Sequence, residues 1–373
     1  MRWAAQQIDD TQTLLPLRGL IRSVRTPEFA GVTFHEVACK SALNKVPTGS
    51  QMPFSWTINP TRGCLHRCTY CFARRTHEYL DLDSGEDFDT QIIVKTNIVE
   101  VLRAELSRPS WNREHVALGT NSDPYMRAEG RYALMPGIIE ALAASGTPFS
   151  ILTKGPLLRR DLPLLARLAP NAQIGVSLAL VDPQLQQSVE PGTPPPAARL
   201  GLIRAIREAG LDCHVLAMPI LPWLTDDDAQ LESLFTAVAE AAASWISAGP
   251  LHLRPGAREW FLEWLAKEHP HLVGRYRRLY GNSAYVPADY TRWLSRRVKA
   301  LRQRLGFQPP ASNESRADRW LRVPQRTQGV GHGLSPSSPS SPSSPSSPSP
   351  EHDDRVATGA HVAATLPTQP ALF

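Results

Sequence analysis

Asn59-Pro-Thr-Arg-Gly-Cys64-Leu-His-Arg-Cys68-Thr-Tyr-Cys71-Phe72 holds three of the chain's five cysteines, at spacing C-x3-C-x2-C. Thiolates this close can wrap one corner of an iron–sulfur cube, each taking a different iron while the backbone between them curls over the cluster. Four cysteines complete the ligation of a four-iron cluster. Three leave one iron open, and an open position separates a catalytic metal site from a closed structural one. Two alternatives stand beside this: a zinc site with His66 as fourth ligand, and three incidental thiols. His66 is cramped between Cys64 and Cys68, and no second C-x2-C or H-x3-H completes a zinc pattern.

Outward from this stretch, short apolar runs rich in β-branched residues alternate with amphipathic helical runs. Strands are expected at 54–58, 115–119, 148–153, 173–180, 212–218 and near 249–253. Helices are expected at 94–107, 134–145, 160–168, 195–209 and 226–245. Right-handed crossovers curl such a series into a barrel or part of one. Six units are fewer than the eight of a closed (β/α)8 barrel. The fold expected is α/β, a partial (β/α)6 TIM-like barrel with its active site at the C-terminal ends of the strands. Thr225-Asp-Asp-Asp228 opens the last of these helices with a capping residue and carboxylates at its positive end.

Around the barrel, residues 1–50 form an N-terminal extended segment with a possible strand at 32–37, and the barrel occupies 51–255. A basic helical extension follows at 256–312, with Arg275, Arg277, Arg278, Arg292, Arg296, Arg297, Lys299, Arg302 and Arg304. That surface is either a solvated helix face or a contact for phosphate backbone. Residues 313–373 include a Ser/Pro repeat that cannot bury enough apolar surface to offset its ordering entropy, so a disordered tail is expected. The net charge of +5 permits an anionic partner without arguing strongly for one. Clustered cysteines read as an intracellular metal or redox pattern rather than a disulfide framework. No signal peptide is evident, and no apolar run approaches the ~20 residues a bilayer span needs. A cytoplasmic location is expected.

The predicted strand ends carry polar candidates. Gly119-Thr-Asn-Ser-Asp-Pro-Tyr125 follows the second strand and reads equally as an ordinary Asp-Pro turn. Lys154 ends the third strand, Ser177 lies in the fourth, Glu190 sits in the loop after it, and Arg199 lies in the next helix. A guanidinium such as that of Arg199 can pair bidentately with a carboxylate.

The cysteine spacing, preceded by the β-prone run Phe54-Ser-Trp-Thr-Ile58, resembles the signature of the radical SAM superfamily. Over residues 40–290 the chain is most similar to the spore-photoproduct-lyase-like branch. The resemblance implies a [4Fe-4S] cluster on Cys64, Cys68 and Cys71, with S-adenosyl-L-methionine chelating the open iron. Reductive cleavage of SAM then yields a 5′-deoxyadenosyl radical that abstracts hydrogen from a substrate. By motif position, Ser122, Lys154 and Ser177 correspond to SAM contacts, Tyr70 and Phe72 border the adenine, and Glu190 with Arg199 completes the pocket. A low-potential donor such as flavodoxin or ferredoxin is implied, and nucleic acid is a candidate partner. The chain departs from the lyase at Asn121, where that enzyme places a hydrogen-donating cysteine. Tyr125 is a conceivable relay in its stead, and the substrate is left open. The rival reading is a non-catalytic nucleic-acid-binding protein with a structural metal or Fe–S site.

Overall fold

The computed structural model describes residues 7–8, 17–47, 52, 54–170 and 172–307. In chain order its strands are β1 (Gln7–Ile8), β2 (Leu20–Arg25), β3 (Thr33–Val37), β4 (Leu43–Lys45), β5 (Trp56–Ile58), β6 (Thr61–Arg62), β7 (Gln91–Lys95), β8 (Val116–Leu118), β9 (Phe149–Thr153), β10 (Gln173–Ser177), β11 (Cys213–Ile220) and β12 (Trp245–Pro250). Seven of them form one sheet in the order β12-β11-β10-β9-β8-β5-β4. β5, β8, β9, β10, β11 and β12 are parallel throughout, and β4 pairs antiparallel with β5 at the edge. Sequential parallel strands with helices on the crossovers make the expected partial (β/α)6 barrel, left open beyond β12.

Its core comes from the β-branched and leucine positions that mark the strands. Ile58, Val116, Ile151, Val176, Val215 and Ile246 are fully excluded from solvent, each burial contributing roughly 1.5–3 kcal/mol. The helices Ile98–Leu106, Leu134–Ala144, Leu162–Leu168, Pro196–Glu208 and Asp228–Glu240 cover this sheet and contribute Leu102, Ile138, Leu165, Ile203 and Phe235 to the same core.

Three boundaries differ from the sequence expectation. Residues 94 and 95, expected to open a helix, instead end β7, because Ile92, Ile93 and Val94 pair with β3 and β6. The sixth strand begins at Trp245, four residues before the expected position. The preceding helix ends at Glu240, and Ala242 in the left-handed region (φ 59°) turns the alanine-rich run out of the helix. At the head of that helix the N-cap is Asp227, which accepts from the Gln230 amide, while Asp226 accepts from Trp223 N–H and Tyr290 O–H.

A second sheet, β1-β2-β3-β7-β6, was not legible as a unit. It contains the strand expected within 32–37, and its β6 lies inside the cysteine stretch, just ahead of Gly63 and Cys64. After the barrel, helices Ala257–Glu268 and Pro270–Tyr280 pack Phe261, Leu265, Leu272 and Tyr276 against Leu221, Leu251 and Leu253, on the loops that follow β11 and β12. Helix Ala288–Arg304 returns along the barrel wall with Leu294, Val298 and Leu301 buried. The tail expected at 313–373 lies outside the described residues.

Two barrel histidines give the fold a pH signature. His115 bonds Ser150 Oγ and His214 bonds Ser247 Oγ, and burial pushes their pKa values down to about 4 and about 3. Both are neutral in the fold and free to charge when it opens. Their stabilisation is therefore complete above ~6.5 and lost as pH falls from there. At pH ~5, His115 alone should cost roughly 2 kcal/mol of unfolding free energy. Urea unfolding of wild type and His115→Gln between pH 7.5 and 5 checks this: the variant should show the shallower pH dependence.

Candidate functional site

The cysteine stretch is held from three sides. On its entry side, Thr61 and Arg62 zip onto Val94 and Ile93. Gly63 then turns with φ 81°, where a Cβ would stand 2.8 Å from Ile92 Cδ1 and 2.9 Å from Phe88 O. Cys64 N–H donates to Phe88 O at 3.0 Å, and Cys71 N–H donates to Cys68 O at 3.3 Å, putting the last two cysteines in one turn. On the far side, Thr69 N–H donates to Val189 O and Gly192 N–H to His66 O. A Cβ on Gly192 would lie 2.0 Å from Leu65 O, so only glycine permits this approach.

The three thiols line one cavity of about 210 Å3, together with Tyr70, Phe72, Ser122, Lys154 and Ser177. It opens where β8, β9, β10, β11 and β12 end, the face the barrel topology predicts. Burial pushes the Cys64 thiol up to about 12 and raises Cys68 and Cys71 as well. Unligated, these groups stay protonated at neutral pH, and metal binding is what would make them thiolates. Three sulfur donors on one loop suit an iron–sulfur cluster with an iron left open. Among the described residues no three His, Cys, Asp or Glu side chains are set to hold a single ion. His66 faces the Asp123 carboxylate at 3.4 Å.

Behind the wall of the cavity lies a buried ionic cluster centred on Glu190. Its carboxylate accepts from Tyr70 O–H and from the Arg199 guanidinium, and Lys154 Nζ stands 3.4 Å away. Lys154 Nζ also bonds Ser177 Oγ at 2.5 Å. Burial by itself would raise Glu190, but Arg199 and Lys154 outweigh it and hold the carboxyl below the ordinary carboxylate range. Arg199 further donates to Ser177 O, Pro194 O and Thr193 Oγ1. Neither Glu190 nor Arg199 lines the cavity, and both are fully buried. The guanidinium suggested for a ligand carboxylate is thus committed to protein groups, and Lys154 is the cation of this cluster that reaches the cavity, beside Tyr70.

The polar loop after β8 is built the same way. Gly119 has φ 90°, and a Cβ there would meet Leu152 O at 2.0 Å. Asn59 Oδ1 accepts from Thr120 Oγ1 and from the Asn121 amide. Ser122 is locked between Thr61 Oγ1 and Thr61 O at 2.9 and 3.0 Å. Asp123, which reads in the sequence as half of a turn, accepts from Thr153 Oγ1 and Lys154 N at 2.6 Å each and so fixes the end of β9.

Other residues single themselves out only in three dimensions. His252 and Arg254, in the loop after β12, line the cavity, with Arg254 over the Phe72 ring at 5.7 Å. Their sequence neighbourhood carries no motif. Asn121 lines the cavity, whereas Cys213 is buried at the opposite, N-terminal end of β11 and Cys39 lies outside the cavity. Tyr125 also falls outside it, its hydroxyl donated to Asp161 at 3.0 Å. The residue suggested as a relay is thus not among those that line the cavity.

Residues 58–234 match the family model for the Radical SAM superfamily. The chain belongs to the radical SAM superfamily. An uncharacterized protein of Mycobacterium tuberculosis is 57% identical over 330 residues, spanning 85% of this chain and 97% of its own length. An uncharacterized protein of Methanocaldococcus jannaschii is 23% identical over 171 residues, 46% of this chain and 62% of its own. A mutant of spore photoproduct lyase, solved with bound AdoMet and dinucleoside spore photoproduct, matches at a TM-score of 0.56 and 14% identity over 73% of this chain and 79% of that one. This radical SAM protein thus shares the lyase's fold.

In this radical SAM protein the Glu190 cluster generates a prediction. Glu190→Gln leaves Arg199 buried without a counter-charge, a change that costs roughly 3–5 kcal/mol. Chemical unfolding of purified protein should show a loss of that size, and an unchanged midpoint would contradict the network. Gly192→Ala should loosen the cysteine stretch with less effect on the barrel, seen as faster amide exchange confined to residues around 64–72.

Proposed function

We propose that this protein is a cluster-dependent radical SAM enzyme that holds [4Fe-4S] through Cys64, Cys68 and Cys71 and uses S-adenosyl-L-methionine to initiate hydrogen abstraction from a substrate. The single observation that carries this is the shared cavity: three thiols and the strand-end groups Ser122, Lys154 and Ser177 line one space at the C-terminal face of the barrel. When bound and reduced, the cluster would supply the electron that splits SAM into methionine and a 5′-deoxyadenosyl radical, the hard chemistry being the cofactor's.

The chain's own residues bind, orient and exclude water. Lys154 presents an ammonium oriented by Ser177 and Glu190, suited to the carboxylate of SAM. Tyr70 and Phe72 flank the cysteines with aromatic faces suited to adenine. Leu118, Leu152, Leu216, Met218 and Leu251 give the cavity an apolar lining that keeps water from a reactive species. Glu190 and Arg199 serve this arrangement from behind, by fixing Tyr70, Lys154 and Ser177.

A low-potential flavodoxin or ferredoxin fits as electron donor, in a cytoplasm reducing enough to preserve the cluster. Among the described residues no helix is long and apolar enough to cross a membrane. Nucleic acid is the substrate class to test first. The lyase of similar fold was solved with a dinucleoside photoproduct. Arg277, Arg278, Arg296 and Lys299 are exposed on the helical extension, whereas Arg297 and Arg304 are spent on Asp228 and Glu232.

Anaerobic reconstitution with iron and sulfide, then dithionite and SAM, should yield 5′-deoxyadenosine. Alanine at Cys64, Cys68 or Cys71 should abolish it, and Lys154→Met should lower kcat/KM for SAM at least tenfold, about 1.4 kcal/mol of transition-state stabilisation. Salt-dependent binding of DNA or RNA by wild type with no SAM cleavage would instead support the non-catalytic reading. Added oligonucleotide that is chemically altered as 5′-deoxyadenosine forms would identify the substrate class.

A further inference from the structure

Behind the cysteine stretch lies a cation that the site described so far does not use. Arg74 is completely buried. Its Nε and Nη2 both donate to Cys68 O at 3.2 Å, its Nη1 donates to Gly85 O at 2.7 Å, and its Nη2 is bidentate to Asp89 at 3.1 and 2.9 Å. Its guanidinium carbon also lies over two rings, 5.3 Å from the centroid of Phe88 and 4.6 Å from that of Trp260. Phe88 belongs to the short helix Glu86–Thr90, whose Phe88 carbonyl also takes the Cys64 amide. Trp260 belongs to the helical extension, far away in sequence. Gly85 makes that approach possible: a Cβ there would stand 2.9 Å from Trp260 Cζ3.

We propose that Arg74 is the positioning residue of the cluster loop and that Trp260, from helix Ala257–Glu268, completes its clamp. The inference rests on the cluster reading for its electronic part and on the fold alone for its mechanical part. Mechanically, one guanidinium ties the carbonyl of Cys68 to Gly85 and Asp89, so the middle cysteine cannot move without breaking a buried fork. Trp260 covers that fork, which makes the helical extension part of the cluster site rather than an appendage. Electronically, a permanent cation one peptide away from a cluster ligand stabilises the reduced, more negative cluster, since hydrogen bonding and net charge around the sulfurs set its potential. Arg74 bonds the Cys68 carbonyl directly, whereas Asp89 is bound to the far partner of that bond, the guanidinium itself.

The test separates fork from charge. In the metal-free protein, amide hydrogen exchange at residues 64–72 should quicken at least tenfold in Arg74→Gln and in Trp260→Ala, and also in Arg74→Lys, which keeps the charge and loses the fork. In the reconstituted protein, redox titration of the cluster's paramagnetic signal should show Arg74→Gln shifted to more negative potential. A tenfold change in the one-electron equilibrium is about 59 mV. Arg74→Lys should stay near wild type in potential. Unchanged exchange at 64–72 in Trp260→Ala would overturn the clamp, and equal potentials in Arg74→Gln and Arg74→Lys would overturn the charge effect. Should Arg74→Gln fail to fold, Trp260→Leu takes its place in the exchange measurement, because Trp260 is partly exposed and less costly to replace. Should wild type take up no cluster, the functional reading fails while the metal-free exchange still decides the clamp.

Discussion

The buried carboxylate of Glu190 is the interaction on which the site depends. It is fully buried yet remains ionised because Arg199, Lys154 and Tyr70 converge on it from separate segments of the chain. Tyr70 belongs to the cysteine stretch, Lys154 ends β9, and Arg199 reaches across to the last residue of β10. One desolvated charge therefore sets the distance between the cysteine stretch and the strand ends. Such a pair adds little net stability compared with apolar packing, but removing one partner is severe, so its contribution is to specify a single arrangement.

The same economy recurs on the other flank. Asp123 gathers Thr153, the Lys154 amide and the Tyr125 amide, and faces His66. Arg74 gathers the Cys68 carbonyl, Gly85 and Asp89. In each case a short polar side chain or a buried fork, rather than the loop's own backbone, fixes a segment at the cavity. Glycines at 63, 119 and 192 supply the close approaches, each where a Cβ would collide with a carbonyl oxygen or a packed side chain. Rigidity of this kind is what the proposed radical chemistry would demand, because misplacement by an ångström opens side reactions.

The helical extension has a different standing from the one its arginine content suggests. Much of its charge is internal: Arg297 and Arg304 pair with the helix Asp228–Glu240, Arg302 donates to Ile246 O, and Arg275 lies over Trp223. Its aromatic residues divide their work. Phe261 enters the core over the strand ends while Trp260 caps Arg74. The extension packs on the loops that bear the site, so its loss should be felt there first.

Local chemistry wrote the central features directly into the sequence. The cysteine spacing, the period-two and helical runs and the polar strand ends each depend on residues within a few positions of one another, and they led to the six parallel strands and to the shared cavity of Cys64, Cys68, Cys71, Ser122, Lys154 and Ser177. Tertiary structure alone decided the rest. The second sheet needs Ile92 and Val94 to find partners more than twenty residues away, so a β-branched run beside a good helix reads ambiguously until both neighbours are in place. Arg199 reads as a ligand-facing cation and is instead a buried strut, while Arg74 and Trp260, which no motif marks, meet behind the cysteine stretch. Spacing specifies which atoms can share a metal, but burial and the pairing of charges arise only when distant segments exclude water together.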